Sequence, residues 1–321
     1  MHDDLITSAC DEIDSRFQAL SNFEADADGQ PPVCLYHYTS AEGLLGVIQS
    51  GELWATNVLY LNDASELSDA TEVLRKNLES EPIKLRNENA RFMQKTIPAH
   101  TVDVPIDHFV VSFCENGDLL SQWRAYGTPG GGYSIGIHTS ALLDAAKRDE
   151  NTIHGGCTLR RVKYRQNQKE EMIRKRIEIL RAVLEPLSDQ FDPDKDEDYR
   201  QLNRLWARVA ASFHPALALM KHVAFEEERE WRLVRTLWKK PLQTPKSPLR
   251  LRIIRGQLTP FVPVSWVMPN TPASGQVPGV KEVLCGPSMN PDLKEKAVRD
   301  LRAAYGYWNI EILQSKVPLR V

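Results

Sequence analysis

VCLYHYTSAEGLLGVIQSGELWAT, residues 33–56, is the stretch from which the fold can be read. VCLYHYT is rich in aromatic and β-branched side chains and predicts a strand. Residues 41–49 repeat their apolar positions at helical spacing. Ser40 before them suits an N-cap, and Gly51 after them suits the left-handed residue that closes a helix. ELWAT at 52–56 reads as a second, short strand.

Working outward, Ile6 to Leu20 carries a helical pattern, and the polar stretch Ala25 to Gln30 with Pro31 and Pro32 ends it. Residues 1–30 therefore read as a helix and linker, and 31–321 as one α+β domain. Downstream of ELWAT, the polar cluster Leu61 to Ser65 caps a helix from Glu66 to Asn77, and a charged helix is predicted over Ile83 to Lys95. His108 to Cys114 is a buried strand, followed by a Trp-containing turn or short helix, a Gly-rich loop and the alternating strand YSIGIH. Two long helical patterns follow, Gln166 to Leu187 and Glu197 to Val223, around an acidic, Pro-containing loop at Ser188 to Asp196. Strand patterning then resumes in REWRLVRTLW, LRLRIIR, TPFVPVSWV and KEVLCG. A helix opening at Pro291 and the strand WNIEIL close the chain. The composite is α+β, a β core with flanking helices and a two-helix insertion at about 166–223.

Composition narrows the classes of function. The 321 residues carry 40 Lys and Arg against 43 Asp and Glu, a net charge of −3, which excludes a basic nucleic-acid coat. No apolar run approaches the ~20 residues that span a bilayer. The opening MHDDLITSACDEID lacks the basic start and apolar core of a signal peptide, so a cytoplasmic chain without membrane contact is expected. Cys10, Cys34, Cys114, Cys157 and Cys285 are odd in number and without a C-x-x-C pair, which reads as reduced thiols. His214 and His222 lie about two helical turns apart, too far to share a metal ion, so no metal is expected.

Three patterns could carry chemistry. Gly130, Gly131 and Gly132 precede a strand instead of opening a helix, so they form no phosphate cradle. They are a flexible turn, or a loop that lets a ligand approach the backbone of Tyr133 to Gly136. The basic stretch Arg160 to Arg181 is a solvated helix face, or a phosphate-binding surface. The third pattern joins His37, Tyr38 and Thr39, at the end of a strand, to FEEEREWRLV. If a strand begins there, Glu228 and Glu230 share one face, with Glu227 and Trp231 on the other. A carboxylate facing a cleft can orient a sugar hydroxyl and stabilise an oxocarbenium-like centre. The plainer alternative is a semi-buried histidine and a surface lattice of ion pairs.

The ordered motifs LYHYTS (35–40), LNDASE (61–66), VSFCE (111–115), SQWRAYG (121–127), GGGYSIGI (130–137) and KHVAFEEEREWRL (from 221), with a closing GP and SKVPLR, resemble the bacterial domain of unknown function 2971 over roughly 33–320. The opening is in turn similar to ADP-ribosyltransferase domains through His37, Thr39, Ile48 and Gly51. That resemblance implies a split β-sheet core, NAD as substrate, and transfer of ADP-ribose to a macromolecular acceptor, protein or nucleic acid, or to water, in a toxin or anti-phage setting. It makes His37 the cofactor holder and Glu230 the catalytic glutamate, with Glu228 behind it. Tyr60, Trp123, Tyr126 or Tyr133 would supply the stacking aromatic, and Arg124 would reach a pyrophosphate. Trp123 could equally be core. Asn62, Asp63 and Glu66 have no assigned role there and could form a second polar wall of the cleft or only cap a helix. An RNA 2′-phosphotransferase-like or nucleotide-binding activity, or a non-enzymatic sensor, are the rival readings. Replacing His37 or Glu230 is expected to spare stability.

Overall fold

The computed structural model describes residues 2–61, 64–80, 83, 106–126, 131–150, 157–187, 196–238, 248–254, 256–265 and 279–318. The opening strand–helix–strand reading is confirmed. Strand β1 is Cys34–Thr39, the helix after it is Ala41–Ser50 and strand β2 is Glu52–Asn57. Ser40 accepts the Gly43 N–H at 3.2 Å, and Gly51 (φ 65°) returns its own N–H to Val47 O. That helix is α2, because His2–Ala27 forms α1.

The strands form two sheets. A four-stranded sheet runs β1, β4 (Tyr133–His138), β9 (Val280–Cys285) and β10 (Glu311–Gln314), antiparallel except for the parallel β9–β10 pair. A six-stranded antiparallel sheet has the order β5 (Cys157–Arg161), β6 (Trp231–Trp238), β3 (Ile106–Phe113), β2, β8 (Gln257–Ser265) and β7 (Arg250–Ile254). Neighbours β5 and β6 are separated in sequence by helices α6 (Gln166–Leu184) and α7 (Asp196–Leu217), so the helical pair is an excursion from a strand pairing. The remaining helices among the described residues are α3 (Ala64–Ser80), α4 (Leu120–Tyr126), α5 (Thr139–Glu150) and α8 (Pro291–Ala304).

Alternation along β3 shows how the layers stack. Phe109, Val111 and Phe113 enter a core shared with Leu35, Ile135 and Val283 of the four-stranded sheet, so the two sheets bury one face of β3 between them. Val110, on the opposite face, joins Val234 in a second core built from α1, α3, α6 and α7. The sheets are also stitched where β1 passes the end of β3: Tyr36 and Cys114 exchange backbone hydrogen bonds at 2.9 and 2.8 Å.

The basic stretch is divided: Arg165 and Arg174 are solvent-exposed, as a solvated face requires, but others of its cations turn inward. Arg160 and Arg176 are buried and paired with Glu24 and Asp28 at the end of α1, and Lys163 binds Asp28. Gly131 has φ 83°, and a Cβ there would overlap Pro287 O, while Lys294 Nζ binds Gly132 O at 2.6 Å. The glycine turn thus closes on the protein's own backbone. Asn62, Asp63, Gly130 and, apart from Ile83, the helix read over Ile83 to Lys95 lie outside the described residues, as do the Glu66 side chain and most of the 188–196 loop.

Candidate functional site

A cleft of about 280 Å³ opens at the seam between the sheets. One wall comes from β1 and the end of β3, with Tyr36, His37, Tyr38, Ser112 and Cys114. Another comes from Gln122, Ala125 and Tyr126 of α4. The third comes from Lys221, Phe225, Glu228, Glu230 and Arg232. Ser112 and Arg232 are register partners on β3 and β6, so both project to the same face of the six-stranded sheet.

Glu228 and Glu230 reach this cleft by a different route from strand alternation. Val223–Glu228 is a 3₁₀ turn, Arg229 is left-handed (φ 43°, ψ 53°), and β6 begins only at Trp231. The tight turn followed by a reversal of φ brings both carboxylates inward while leaving Arg229 outside. Both acids are buried. Lys221 Nζ lies 2.7 Å from Glu228 and 3.0 Å from Glu230, and Arg232 Nε binds the other Glu230 oxygen at 2.7 Å. The Glu230 N–H donates to Tyr164 Oη at 2.7 Å, and Arg232 Nη1 donates to Ala218 O at 2.6 Å, so the acid and its partner are both anchored. Burial opposes ionisation of Glu230, but Arg232 and Lys221, helped by the Ser112 hydroxyl, outweigh it and hold the carboxyl at about 2. Glu230 is therefore a fixed negative charge and not a proton donor.

His37 is half-buried, and its Nδ1 lies 3.0 Å from Ser112 O. A carbonyl only accepts, so Nδ1 carries the proton and Nε2 of the neutral ring is an acceptor. Burial lowers the His37 pKa, the Ser112 carbonyl partly resists, and the Arg252 cation lowers it further. Ser112 thus holds His37 through its carbonyl and Glu230 through its hydroxyl. Burial, followed by the Glu230 and Glu228 charges, raises the Cys114 thiol well above its ordinary value, so this cleft cysteine stays protonated and is no nucleophile.

The structure brings together His37, Tyr38, Tyr126, Glu228 and Glu230. Tyr38 is buried, with its hydroxyl donating to Asn116 O and accepting the Leu119 N–H, so it shapes the wall by bracing the loop before α4. Five other sequence candidates stand outside the lining. Trp123 is fully buried, edge-on to Tyr38 at 4.8 Å and bonded through Nε1 to Asp118 at 2.7 Å, a core residue that fixes α4. Arg124 points to solvent, Tyr60 is exposed in the 3₁₀ turn Val58–Tyr60, and Thr39 is half-buried at the far end of β1. Tyr133 is half-buried beneath Lys294, whose Nζ is 4.5 Å from the ring centre. Tyr36, Ser112, Gln122, Lys221, Phe225 and Arg232 are lining residues that sequence reading missed. The KHVAFEEEREWRL motif already contained Lys221, Phe225 and Arg232.

Beyond the 3₁₀ turn lies a second cavity of about 620 Å³, between Asp28, Lys163, Arg165 and Arg229. Its cations pair with acids: Arg161 and Arg229 with Glu115, Arg165 with Glu226, and Lys163 with Asp28. Among the described residues no cluster of His, Cys, Asp and Glu is placed to hold a metal ion, and no helix is long and apolar enough to cross a membrane.

The family described as protein of unknown function (DUF2971) matches residues 122–233. Those residues carry a DUF2971 domain. No curated protein and no solved structure matches the chain. The domain runs from Gln122 on α4 to Leu233 on β6, so it supplies the carboxylate wall of the cleft, while the His37 wall lies N-terminal to it. The match covers only part of the span, 33–320, over which the ordered motifs were read.

Proposed function

We propose that the protein is an ADP-ribosyltransferase-like enzyme that takes NAD as substrate and passes ADP-ribose to a macromolecular acceptor or to water. The observation that carries this reading is the convergence, in one cleft, of a neutral histidine and a carboxylate that stays ionised. Cleavage of the bond between nicotinamide N1 and ribose C1′ sends the electron pair to the ring nitrogen, which departs neutral and needs no acid. The positive charge left on the ribose is stabilised by a fixed anion, the part Glu230 can play. The acceptor then bonds to C1′ and its proton passes to solvent. His37 Nε2 accepts from a ribose hydroxyl or the nicotinamide amide, and Tyr126 and Phe225 supply aromatic surface.

At about 280 Å³ the cleft is at the low end for ligand sites, which suits the nicotinamide–ribose end of a dinucleotide with the remainder outside. The phosphotransferase reading has less support, because Arg124 stands outside the cleft lining and Arg160, Lys163 and Arg176 of the basic stretch are engaged with Glu24 and Asp28.

The test is nicotinamide release from NAD by the purified protein, followed chromatographically. Wild type is expected to release it. Glu230→Gln should be slower by at least about 100-fold, assayed at a temperature where its near-UV circular dichroism is native. If millimolar NAD neither shifts the thermal midpoint nor loses nicotinamide, the reading fails and a sensor role takes its place.

A further inference from the structure

The cleft lining contains two cations, Lys221 and Arg232, and two carboxylates, Glu228 and Glu230, bonded to one another. It offers no surplus positive charge to a phosphate. Such a charge stands on the same face of the six-stranded sheet. Thr56 is the register partner of both Val110 and Phe261, and Arg252 is the partner of Thr259, two residues from Phe261. With a strand period of two, Arg252, Phe261, Thr56 and Ser112 project to one side, and Ser112 is the residue that holds His37.

Arg252 has few partners for a guanidinium. One Nη2–H donates to Thr56 Oγ1 at 2.6 Å, and the guanidinium carbon Cζ lies over Trp54 and Phe261, 5.4 Å from each ring centre. Its Nε is buried without a hydrogen-bond partner. Burial lowers the Arg252 pKa, and among the described residues no ion pair with a carboxylate offsets its charge. A guanidinium has five N–H donors in a fixed fork, and a desolvated cation with no counter-charge is costly to keep. Its charge also reaches His37, adding to the forces that hold that ring neutral.

We propose that Arg252 is an anion subsite beside the cleft, which holds a phosphate or diphosphate group of the bound ligand. The aromatic pair packs against the guanidinium and Thr56 takes one Nη2–H, leaving the other N–H groups of the two terminal nitrogens for phosphate oxygens. The inference rests on the proposed function only for the rest of the ligand; the phosphate class follows from Arg252 itself.

Inorganic pyrophosphate is the probe, with binding read by calorimetry and by the thermal midpoint of the full chain. Wild type should bind it saturably. Arg252→Met keeps the contacts with Trp54 and Phe261 but removes the charge. It should bind at least tenfold more weakly while its own midpoint stays level or rises, since an uncompensated charge has gone. A residue serving only to pack the rings would leave pyrophosphate affinity unchanged in the Met variant. Arg252→Lys, which keeps charge without the fork, should fall between, and it decides the matter if the Met variant does not fold. Equal pyrophosphate affinity in wild type and variants, or no binding to wild type, overturns the proposal. Competition with NAD identifies the source. Mutual exclusion makes this the dinucleotide's own diphosphate, and simultaneous binding makes it a second phosphate ligand. Pyrophosphate binding without nicotinamide release would sustain the subsite while removing the glycosidic reading.

Discussion

Glu230 holds its charge in a place where burial alone would neutralise it, and the consequence is structural as well as chemical. Its side chain and that of Arg232 are almost fully enclosed, and Lys221 joins the same pair of carboxylates. The expectation that a cleft acid can be replaced at no cost to stability does not survive this geometry. Glu230→Gln removes the carboxylate that both Arg232 Nε and Lys221 bind, and breaking such a buried pair costs about 3–5 kcal/mol. The pH dependence gives the same size by another route. The folded pKa of about 2 lies below the ordinary carboxylate value of about 4.3, so the stabilisation is fully present above pH ~4.5 and is lost as pH falls through the folded value. A carboxyl held that far below its ordinary value contributes on the order of 3 kcal/mol. Urea unfolding of wild type should therefore show an acid limb between about pH 4.5 and 2 that is shallower in Glu230→Gln, with the variant about 3 kcal/mol less stable at pH 7. Equal stabilities at pH 7 would mean that the triad contributes nothing net.

At the scale of the element, the turn that delivers the two carboxylates depends on one residue in an unusual conformation. Among the described residues Arg229 alone combines a side chain with a positive φ, and its exposed guanidinium reaches only Glu115, at 3.8 Å. A left-handed L-residue costs roughly 1–2 kcal/mol, part of which glycine returns through its freer unfolded chain. Arg229→Gly should stabilise by about 0.5–1 kcal/mol in urea unfolding and leave nicotinamide release unchanged, because Glu228 and Glu230 keep their places. A loss of stability would show that the arginine side chain matters more than its backbone. The same turn shows where sequence reading stops. β1, α2, β2, β3, β4 and the strands after the helical pair were legible because their apolar periodicity is local. EEERE has no such period, and nothing in it signals a positive φ at arginine, so the acids were grouped correctly for a wrong geometric reason. Strand β5 was missed for a related cause. Arg160 and Arg161 look solvent-facing until Glu24 and Asp28 are brought to them from α1, a contact more than 130 positions away in sequence. Helix α5 escapes the sequence reading because its apolar stripe is short and mostly alanine, Leu142, Ala145 and Ala146.

At the scale of the whole molecule, the helix read as an N-terminal extension is tied into the body twice over. Ile6, Ala9 and Ile13 lie in the same core as α3, α6 and α7, so the apolar stripe of α1 is covered. Its C-terminal end carries the counter-charges for a basic layer that would otherwise be unsustainable: Glu24 binds Arg176 at 2.8 Å and Arg160 at 3.3 Å, and Asp28 binds Arg160 at 3.0 Å. Arg160 lies on β5, the partner of β6, and Glu230 stands at the head of β6, its backbone oxygen taking the Val162 N–H. Support for the cleft therefore passes through β5 to α1. Deleting residues 1–30 would strip two buried guanidiniums of their acids, at about 3–5 kcal/mol each, and uncover the apolar residues beneath. A domain's whole stability is about 5–15 kcal/mol, so residues 31–321 alone should fail to give a cooperative thermal transition or a native near-UV circular dichroism spectrum. Arg160→Met with Arg176→Met should recover part of that loss in the truncated chain, because it removes the uncompensated charges while the uncovered core remains. A truncated chain that melts cooperatively near the full-length midpoint would show that α1 is dispensable. The basic layer would then have to be supported from within 31–321.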